Sequence, residues 1–396
     1  MQDPGVHALS RAPELDRAHA LIGQGQAAAA IEVLEQLTAR LPTDVEAWFA
    51  LGRAHGMLDQ DRQAESAFRR AAQLRPDLRD AHLNVALSLA YQGRPREAMP
   101  ALLEARRLSP GDREVNDALL WVLLSILQQE PEHGALPALA PLGPEPLVSV
   151  IIPTRNRPAM LRGALESVAR QRYGRWEILV VNDGGEDVAH VLASLPAALG
   201  GRTTLLNEPR SCGAAAARNR ALGEARGEIM AFLDDDDLYL PEHLAALVAQ
   251  LRASGAPFAY TRSVAVEERI VDGRRVEMRR GTPREYRVSH AMLQVRNLIP
   301  TANWGMRREC FERYGTFDES LPCAEDWDLL LRLSSRFPLQ QVAQVTAEIR
   351  VRPGTADSVT RRVPLRPICE QFYRRFPSGG NELVELGRTV YLECVN

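Results

Sequence analysis

Ile229-Met230-Ala231-Phe232-Leu233 runs straight into Asp234-Asp235-Asp236-Asp237, and the reading of this junction decides the fold. An unbroken apolar run of this length is a buried strand. The four carboxylates behind it have no basic residue between them. Like charges this close cannot all ionise cheaply, so some rise in pKa or the group takes a cation. Carboxylates also suit the hard divalent ions that hold phosphate oxygens. In an open α/β sheet, the C-terminal ends of the strands are where ligands bind. The alternative is a solvated acidic lead-in to a helix at Pro241, since proline suits a first helical turn and acids before it suit the helix dipole. The junction alone leaves both readings open.

Outward from it, strands and helices alternate. Leu147 to Ile152, Trp176 to Val181 and Arg202 to Leu206 read as strands. Pro158 to Gln171, with Leu161, Leu165 and Val168 on one face, Asp187 to Leu195 and Cys212 to Ala225 read as helices, and Pro241 to Arg252 follows the junction. This alternation implies an α/β fold with a mostly parallel sheet and right-handed crossovers. Ile270-Val271-Asp272-Gly273-Arg274 has the pattern of a hairpin with a type I′ turn, which adds an antiparallel element after residue 258. Polar residues follow three of the strands: Pro153-Thr154-Arg155-Asn156, Asn182-Asp183-Gly184-Gly185 and Asp234 to Asp237. Gathered at one sheet edge, they describe a site for a charged, phosphate-bearing ligand. Neither Gly-x-Gly-x-x-Gly nor Gly-x-x-x-x-Gly-Lys is present, which argues against dinucleotide redox and P-loop chemistry.

At 396 residues the chain exceeds one typical core, so two domains are expected. A net charge of −3 gives no argument for nucleic acid or an anionic membrane as partner. All 48 basic residues are arginine, which removes Schiff-base lysine chemistry. The five cysteines are scattered, without a Cys-x-x-Cys pair, against a zinc site or a disulfide framework and for a reducing compartment. The N-terminus lacks a basic-then-apolar signal pattern, and the longest apolar run, Ala118 to Leu127, is too short to span a bilayer. A cytoplasmic protein without a transmembrane segment is the expectation.

The first third is periodic. Pro42, Pro76 and Pro110 are 34 residues apart, as are Ala30, Ala64 and Ala98, and Leu34, Phe68 and Leu102. The middle copy, with Trp48, Leu51, Gly52, Ala64, Phe68, Ala71 and Pro76, resembles the tetratricopeptide repeat, with His55 where an aromatic is usual. Each copy then forms two antiparallel helices, with small residues at their close approach and proline ending the second. Arg113 to Gln129 is a further helix, apolar nearly all round, and so must be covered on more than one side. Such repeats serve a protein partner, an acceptor or self-association, including a homodimer. Pro131 to Pro146, with five prolines and two glycines, is a semi-rigid linker. The expected division is a repeat domain at 1–130, the linker at 131–146, the α/β domain at 147–376 and a tail at 377–396.

Val148 to Asn156, Asn182-Asp183-Gly184, Gly213 to Asn219, Gly227 to Asp237 with Pro241, Phe317-Asp318 and Glu325-Asp326-Trp327-Asp328-Leu329 together resemble the inverting glycosyltransferase family 2 with the GT-A fold, across roughly residues 147 to 355. The resemblance implies that Pro153, Thr154 and Arg155 hold the nucleotide base and ribose and that Asp183 bonds the base. Asp183 also reads as a plain turn residue before Gly184. Arg218 matches a nucleotide contact, or is a helix-surface cation. Asp234 and Asp235 would face ribose and diphosphate, and Asp236 would ligate Mn²⁺ or Mg²⁺, which neutralises the leaving nucleoside diphosphate. The register within the four aspartates is open by one. Asp326 matches the general base, or is an N-cap for a helix from Trp327 to Arg336, and both roles are compatible. Many relatives carry a metal-binding histidine after the last core strand. Here Ile349-Arg350-Val351-Arg352-Pro353-Gly354 places arginine there, and Arg352 is able to pair with the diphosphate instead.

The implied activity is transfer of a sugar from a nucleoside-diphosphate donor, a UDP-sugar first among them, to a hydroxyl on a glycan, lipid-linked or protein acceptor. A scaffold with an inactive transferase-like domain is the competing reading, and a nucleotidyltransferase fits the motif order poorly.

Overall fold

The structure, a computed structural model, describes residues 4–132, 134–271, 274–283, 285, 287–353 and 363–395. The chain divides into two compact units, Met1–Leu127 with Thr389–Val395, and Gln128–Arg388.

The first unit contains α1 (Pro4–Gly23), α2 (Ala27–Arg40), α3 (Val45–Gly56), α4 (Asp61–Leu74), α5 (Arg79–Tyr91), α6 (Pro95–Leu108) and α7 (Arg113–Leu127). The 34-residue period maps onto helix pairs. Pro42, Pro76 and Pro110 lie in the connections after α2, α4 and α6. Ala30, Ala64, Ala98, Leu34, Phe68 and Leu102 are buried where helices meet. Gly52 of α3 shows how tight that meeting is, because a Cβ there would lie 2.7 Å from the Phe68 ring. Asp44 caps α3, its carboxylate accepting from the Glu46 and Ala47 N–H groups at 3.0 Å each. The near-uniformly apolar α7 buries Leu119, Val122, Leu123, Ile126 and Leu127. Part of its surroundings is the C-terminal segment of the same unit, where Glu393 accepts from Arg106 at 2.6 Å and from Asn116 at 3.0 Å. The sequence led to the expectation of a tail at 377–396, whereas Glu382–Cys394 is a helix whose end belongs to this unit.

The second unit is one mixed sheet with helices. Its elements are β1 (Val148–Thr154), α8 (Pro158–Ala169), β2 (Trp176–Asp183), α9 (Ala189–Ala193), α10 (Ala197–Gly200), β3 (Thr203–Glu208), α11 (Ala214–Glu224), β4 (Ile229–Phe232) and β5 (Leu238–Tyr239). Then come α12 (His243–Ser254), β6 (Phe258–Val271), β7 (Arg274–Arg280), α13 (His290–Leu293), β8 (Trp304–Arg307) and α14 (Arg308–Tyr314). The last are α15 (Glu325–Ser334), β9 (Gln340–Val351), α16 (Leu365–Arg375) and the start of α17 (Glu382–Cys394), whose residues from Thr389 belong to the first unit. Among the described residues the strand order is β3-β2-β1-β4-β8-β6-β9-β5, with β7 on β6. β3, β2, β1 and β4 are parallel, as alternation predicts, and β8 turns the sheet antiparallel. Val150, Ile152, Val180 and Ala231 form one core with Leu161 and Leu165 of α8 and Leu244 and Leu247 of α12. Each such aliphatic side chain contributes about 1.5–3 kcal/mol by leaving water. A buried polar link fixes the parallel strands: Ser149 donates to Glu177 at 2.7 Å and accepts from the Gly227 N–H at 2.8 Å.

Three local expectations shift. The helix expected from Pro241 begins at His243, because the chain first forms β5, whose Leu238 and Tyr239 pair with Glu348 and Ala347 of β9. The helix expected from Trp327 begins at Glu325, capped by Ala324 at φ +62°, so Asp326 lies inside the first turn and is not the N-cap. The hairpin is present as β6 and β7, with Ile270 opposite Arg275, while its Asp272-Gly273 turn lies outside the described residues. The stretch at 131–146 has no regular element among its described residues and is tied to the second unit, with the Ala140 carbonyl accepting from Arg307 at 2.5 Å and the Pro146 carbonyl from Tyr173 at 2.6 Å. Among the described residues no helix is long and apolar enough to cross a membrane.

Candidate active site

The C-terminal ends of β1, β2 and β4 open into a cleft of about 940 Å³. Pro153, Thr154, Arg155, Asp183, Arg218, Asp234, Asp235, Asp236 and Asp326 all line it, so the structure brings these candidate residues to one place, and the buried Arg352 meets the cleft through Asp236.

The acidic run is not a solvated lead-in. Asp235 and Asp237 are buried. Thr154 donates to Asp235 at 2.7 Å, and Arg157 donates to Asp235 at 3.1 Å and to Asp236 at 3.3 Å. Arg352 donates to the same Asp236 oxygen, Oδ2, at 2.7 Å. Burial pushes the Asp235 carboxyl up to about 7, with Asp236 adding repulsion, against the lowering influence of Arg157 and Thr154. Burial also raises Asp236, helped by Asp234 and opposed by Arg157 and Arg352. Burial, with repulsion from Asp236 and Asp234, also raises Asp237, which accepts the Arg350 N–H at 2.8 Å as part of the β9 attachment.

Arg218 is 3% exposed, neither a surface cation nor a side chain reaching into solvent. It bridges Asp234, at 2.6 Å, and Glu325, joining the end of β4 to the start of α15. Burial alone would lower its pKa; Asp234 and Glu325 outweigh that and leave it raised. Asp183 ends β2 and anchors the loop before α11, accepting from the Ser211 hydroxyl at 2.6 Å and from the Cys212 and Gly213 N–H groups at 2.7 and 3.1 Å. Gly184 beside it has φ +61°, and a Cβ there would lie 2.3 Å from the Ser211 nitrogen, so only glycine permits this approach.

Asp326 faces the cleft from the first turn of α15. Its Oδ2 accepts from Asn297 at 2.8 Å and Thr301 at 3.3 Å, and its Oδ1 from the Trp327 N–H at 2.8 Å. Burial first, then the neighbouring Glu325, pushes this carboxyl up to about 6 against the opposing effects of Arg218, the Trp327 N–H and Asn297. A carboxylate fixed by three donors, with its pKa raised toward neutrality, is suited to accept a proton.

Several residues escaped the sequence. Arg155 is exposed at the rim, and Arg157, two positions on, makes the acidic contacts. Asn297 and Thr301 come from a stretch with no motif. Glu268 of β6 gathers Arg275 at 2.9 Å, Arg352 at 2.9 Å and Arg350 at 3.4 Å. Burial works to raise its pKa, and these arginines outweigh it. Arg275 also donates to the Asp236 main-chain oxygen.

The residues fit a resident divalent ion poorly. Among those described, no group of three or more His, Cys, Asp or Glu side chains is placed to hold one. Each carboxylate at the mouth of the acidic run already accepts from an arginine: Asp234 from Arg218, Asp235 from Arg157, Asp236 from Arg352.

Residues 149–315 match the model of glycosyl transferase family 2, and residues 12–54 and 45–78 match tetratricopeptide repeat models. The chain is 29% identical over 195 residues to an uncharacterized glycosyltransferase, YwdF, of Bacillus subtilis, covering 49% of this chain and 70% of the relative. It is 33% identical over 114 residues to the UDP-Glc:alpha-D-GlcNAc-diphosphoundecaprenol beta-1,3-glucosyltransferase WfgD of Escherichia coli, covering 29% of this chain and 44% of that one. Among solved structures, the mannosyltransferase PcManGT from Pyrobaculum calidifontis in complex with GDP-Man and Mn²⁺ has a TM-score of 0.48 at 19% identity, over 80% of this chain and 82% of the other. The parallel β3-β2-β1-β4 half-sheet and the strand-end cleft lie in the segment that matches glycosyl transferase family 2, and the chain carries that domain after N-terminal tetratricopeptide repeats.

Proposed function

We propose that the cleft binds a nucleoside-diphosphate sugar, a UDP-sugar first among donors, and transfers the sugar to a hydroxyl acceptor with inversion. The observation that carries this is a single cleft in which polar strand ends and the buried acid Asp326 line one space. Pro153, Thr154 and Arg155 flank the base and ribose, and Asp183, with oxygens already holding the 211–213 loop, offers a remaining lone pair to the base. Asp234 and Asp235 border the ribose and diphosphate. Arg218, buried and bridging the end of β4 to the start of α15 through Asp234 and Glu325, acts from beneath as a positioning residue.

Asp326 takes the proton of the acceptor hydroxyl. The acceptor oxygen forms its bond to the anomeric carbon on the face opposite the diphosphate. The bond from that carbon to the β-phosphate oxygen breaks, and its electron pair leaves with the nucleoside diphosphate. Holding the acceptor proton, its base and the anomeric carbon in one arrangement lowers the barrier by orientation as well as by proton transfer. No step is assigned to a divalent ion, for the reason the carboxylate contacts give. The repeats serve as the docking surface for the acceptor, a protein partner or a second copy of the chain. WfgD, by its name, acts on a diphosphoundecaprenol-linked sugar, which supports a lipid-linked or glycan acceptor.

Calorimetric titration of UDP, GDP and dTDP into the full chain tests the donor half. Saturable binding of one nucleotide, weakened by Asp183→Ala, is expected; silence with all of them would return the chain to the scaffold reading.

A further inference from the structure

We infer that in this chain the charge of the donor's diphosphate is met by a guanidinium clamp, Arg157 and Arg352 converging on Asp236, in place of a carboxylate-bound divalent ion. The inference rests on the nucleotide-sugar reading of the same cleft.

Two separate elements aim arginine at one oxygen. Arg157 comes from the loop after β1 and Arg352 from just past the end of β9, and both donate to Asp236 Oδ2, at 3.3 and 2.7 Å. A third, Arg275 of β7, donates to the main-chain oxygen of the same residue. An ion ligated by Asp236 would sit about 2.0–2.6 Å from a carboxylate oxygen, among these guanidinium groups, and would be repelled by them. Asp234 and Asp235 do not supply a second ligand without giving up Arg218 and Arg157. The clamp is also braced from behind. Glu268 is buried and holds Arg352 at 2.9 Å while Arg275 and Arg350 share it, so Arg352 is fixed by the protein before any ligand arrives.

Guanidinium suits the role. It is planar, always charged, and presents paired N–H groups that match phosphate oxygens two at a time. Charge builds on the β-phosphate oxygen as its bond to the sugar breaks, and donors already oriented there stabilise it without reorganisation. Asp236 then acts as the holder of the clamp until the donor binds. Its Oδ2 releases part of its contact when phosphate oxygens enter.

The test is titration of UDP, or whichever of GDP and dTDP binds, into the full chain in EDTA and again with Mn²⁺. The clamp predicts dissociation constants within about threefold of each other in the two buffers. It predicts that Arg352→Gln weakens the nucleotide by at least about tenfold in EDTA, the scale of a lost charge-assisted hydrogen bond. Uridine, which lacks phosphate, is affected less than twofold by the same change, which separates a phosphate contact from a general disturbance of the cleft. Arg157→Gln, on a loop and only partly buried, gives the same pattern if Arg352→Gln folds badly. Arg352→His, which replaces a fixed cation with a metal ligand, makes nucleotide affinity rise with Mn²⁺. Binding by the unaltered chain only when Mn²⁺ is present, or undiminished binding by both glutamine variants, overturns the clamp. Absence of binding by every nucleotide in both buffers overturns the donor reading and the clamp with it.

Discussion

Replacing Asp326 by Asn removes one proton acceptor and little else. The side chain keeps its size, and its remaining oxygen still accepts from Asn297 or from the Trp327 N–H, which now hold Asp326 at 2.8 Å each. Loss of a positioned base costs about 10²–10⁴-fold in turnover, or about 3–5 kcal/mol of barrier. Nucleotide affinity should stay within about twofold, because Asp326 belongs to the acceptor side of this scheme. The pH profile supplies a second readout. The active form is the carboxylate, and burial beside Glu325 has pushed its pKa up to about 6. The kcat/KM of the unaltered enzyme therefore falls about tenfold per unit below pH 6 and flattens above about pH 7, and the variant lacks that limb. Stability moves oppositely. The folded state holds the Asp326 proton more tightly than the unfolded chain, so ionising it costs stability as pH rises from about 4 to 6. The melting temperature of Asp326→Asn should gain on the unaltered protein across that window. Wild-type turnover in the variant, or an acid limb that survives the substitution, would refute the base assignment.

Further outcomes follow from particular contacts. Asn297→Ala removes a hydrogen bond that lowers the Asp326 pKa, so the acid limb should move to higher pH with nucleotide affinity unchanged, read from kcat/KM against pH. Arg218→Met leaves the mostly buried Glu325 without its cation and should destabilise the fold by about 3 kcal/mol in urea unfolding, little of it from the more exposed Asp234. Gly184→Ala forces a Cβ to within 2.3 Å of the Ser211 nitrogen at a φ of +61°, so nucleotide binding should weaken as the Asp183-anchored loop is displaced, measured by calorimetry. Gly52→Ala drives a methyl into the Phe68 ring and should lower the melting temperature of the repeat unit through about 1–3 kcal/mol of overpacking.

The centre of the parallel half of the sheet was legible because β1, β2 and β4 are apolar runs followed by polar residues, a pattern set by burial on both faces. The repeats were legible because Ala30, Ala64 and Ala98 recur wherever helices must approach closely. β5 was not, since Leu238-Tyr239 is too short for periodicity and exists through its pairing with β9. The acidic run itself was half read. Its place at a strand end followed from local pattern, but its partners Arg157, Arg275 and Arg352 are brought in by tertiary structure. Arg157 went unnamed beside Arg155 because a loop has no alternation to show which side chain turns toward the acidic run. Asn297 and Thr301 carry no motif, and they matter only because the fold sets them beside Asp326.

The most direct measurement is release of nucleoside diphosphate from a panel of UDP-, GDP- and dTDP-sugars by the full chain, run beside Asp326→Asn, at pH 5 to 9, in EDTA and with Mn²⁺. Release from one donor class, at least about 10²-fold slower in the variant and falling below about pH 6, is the predicted result. Equal release by both proteins, or none from any donor at any pH in either buffer, would contradict the account.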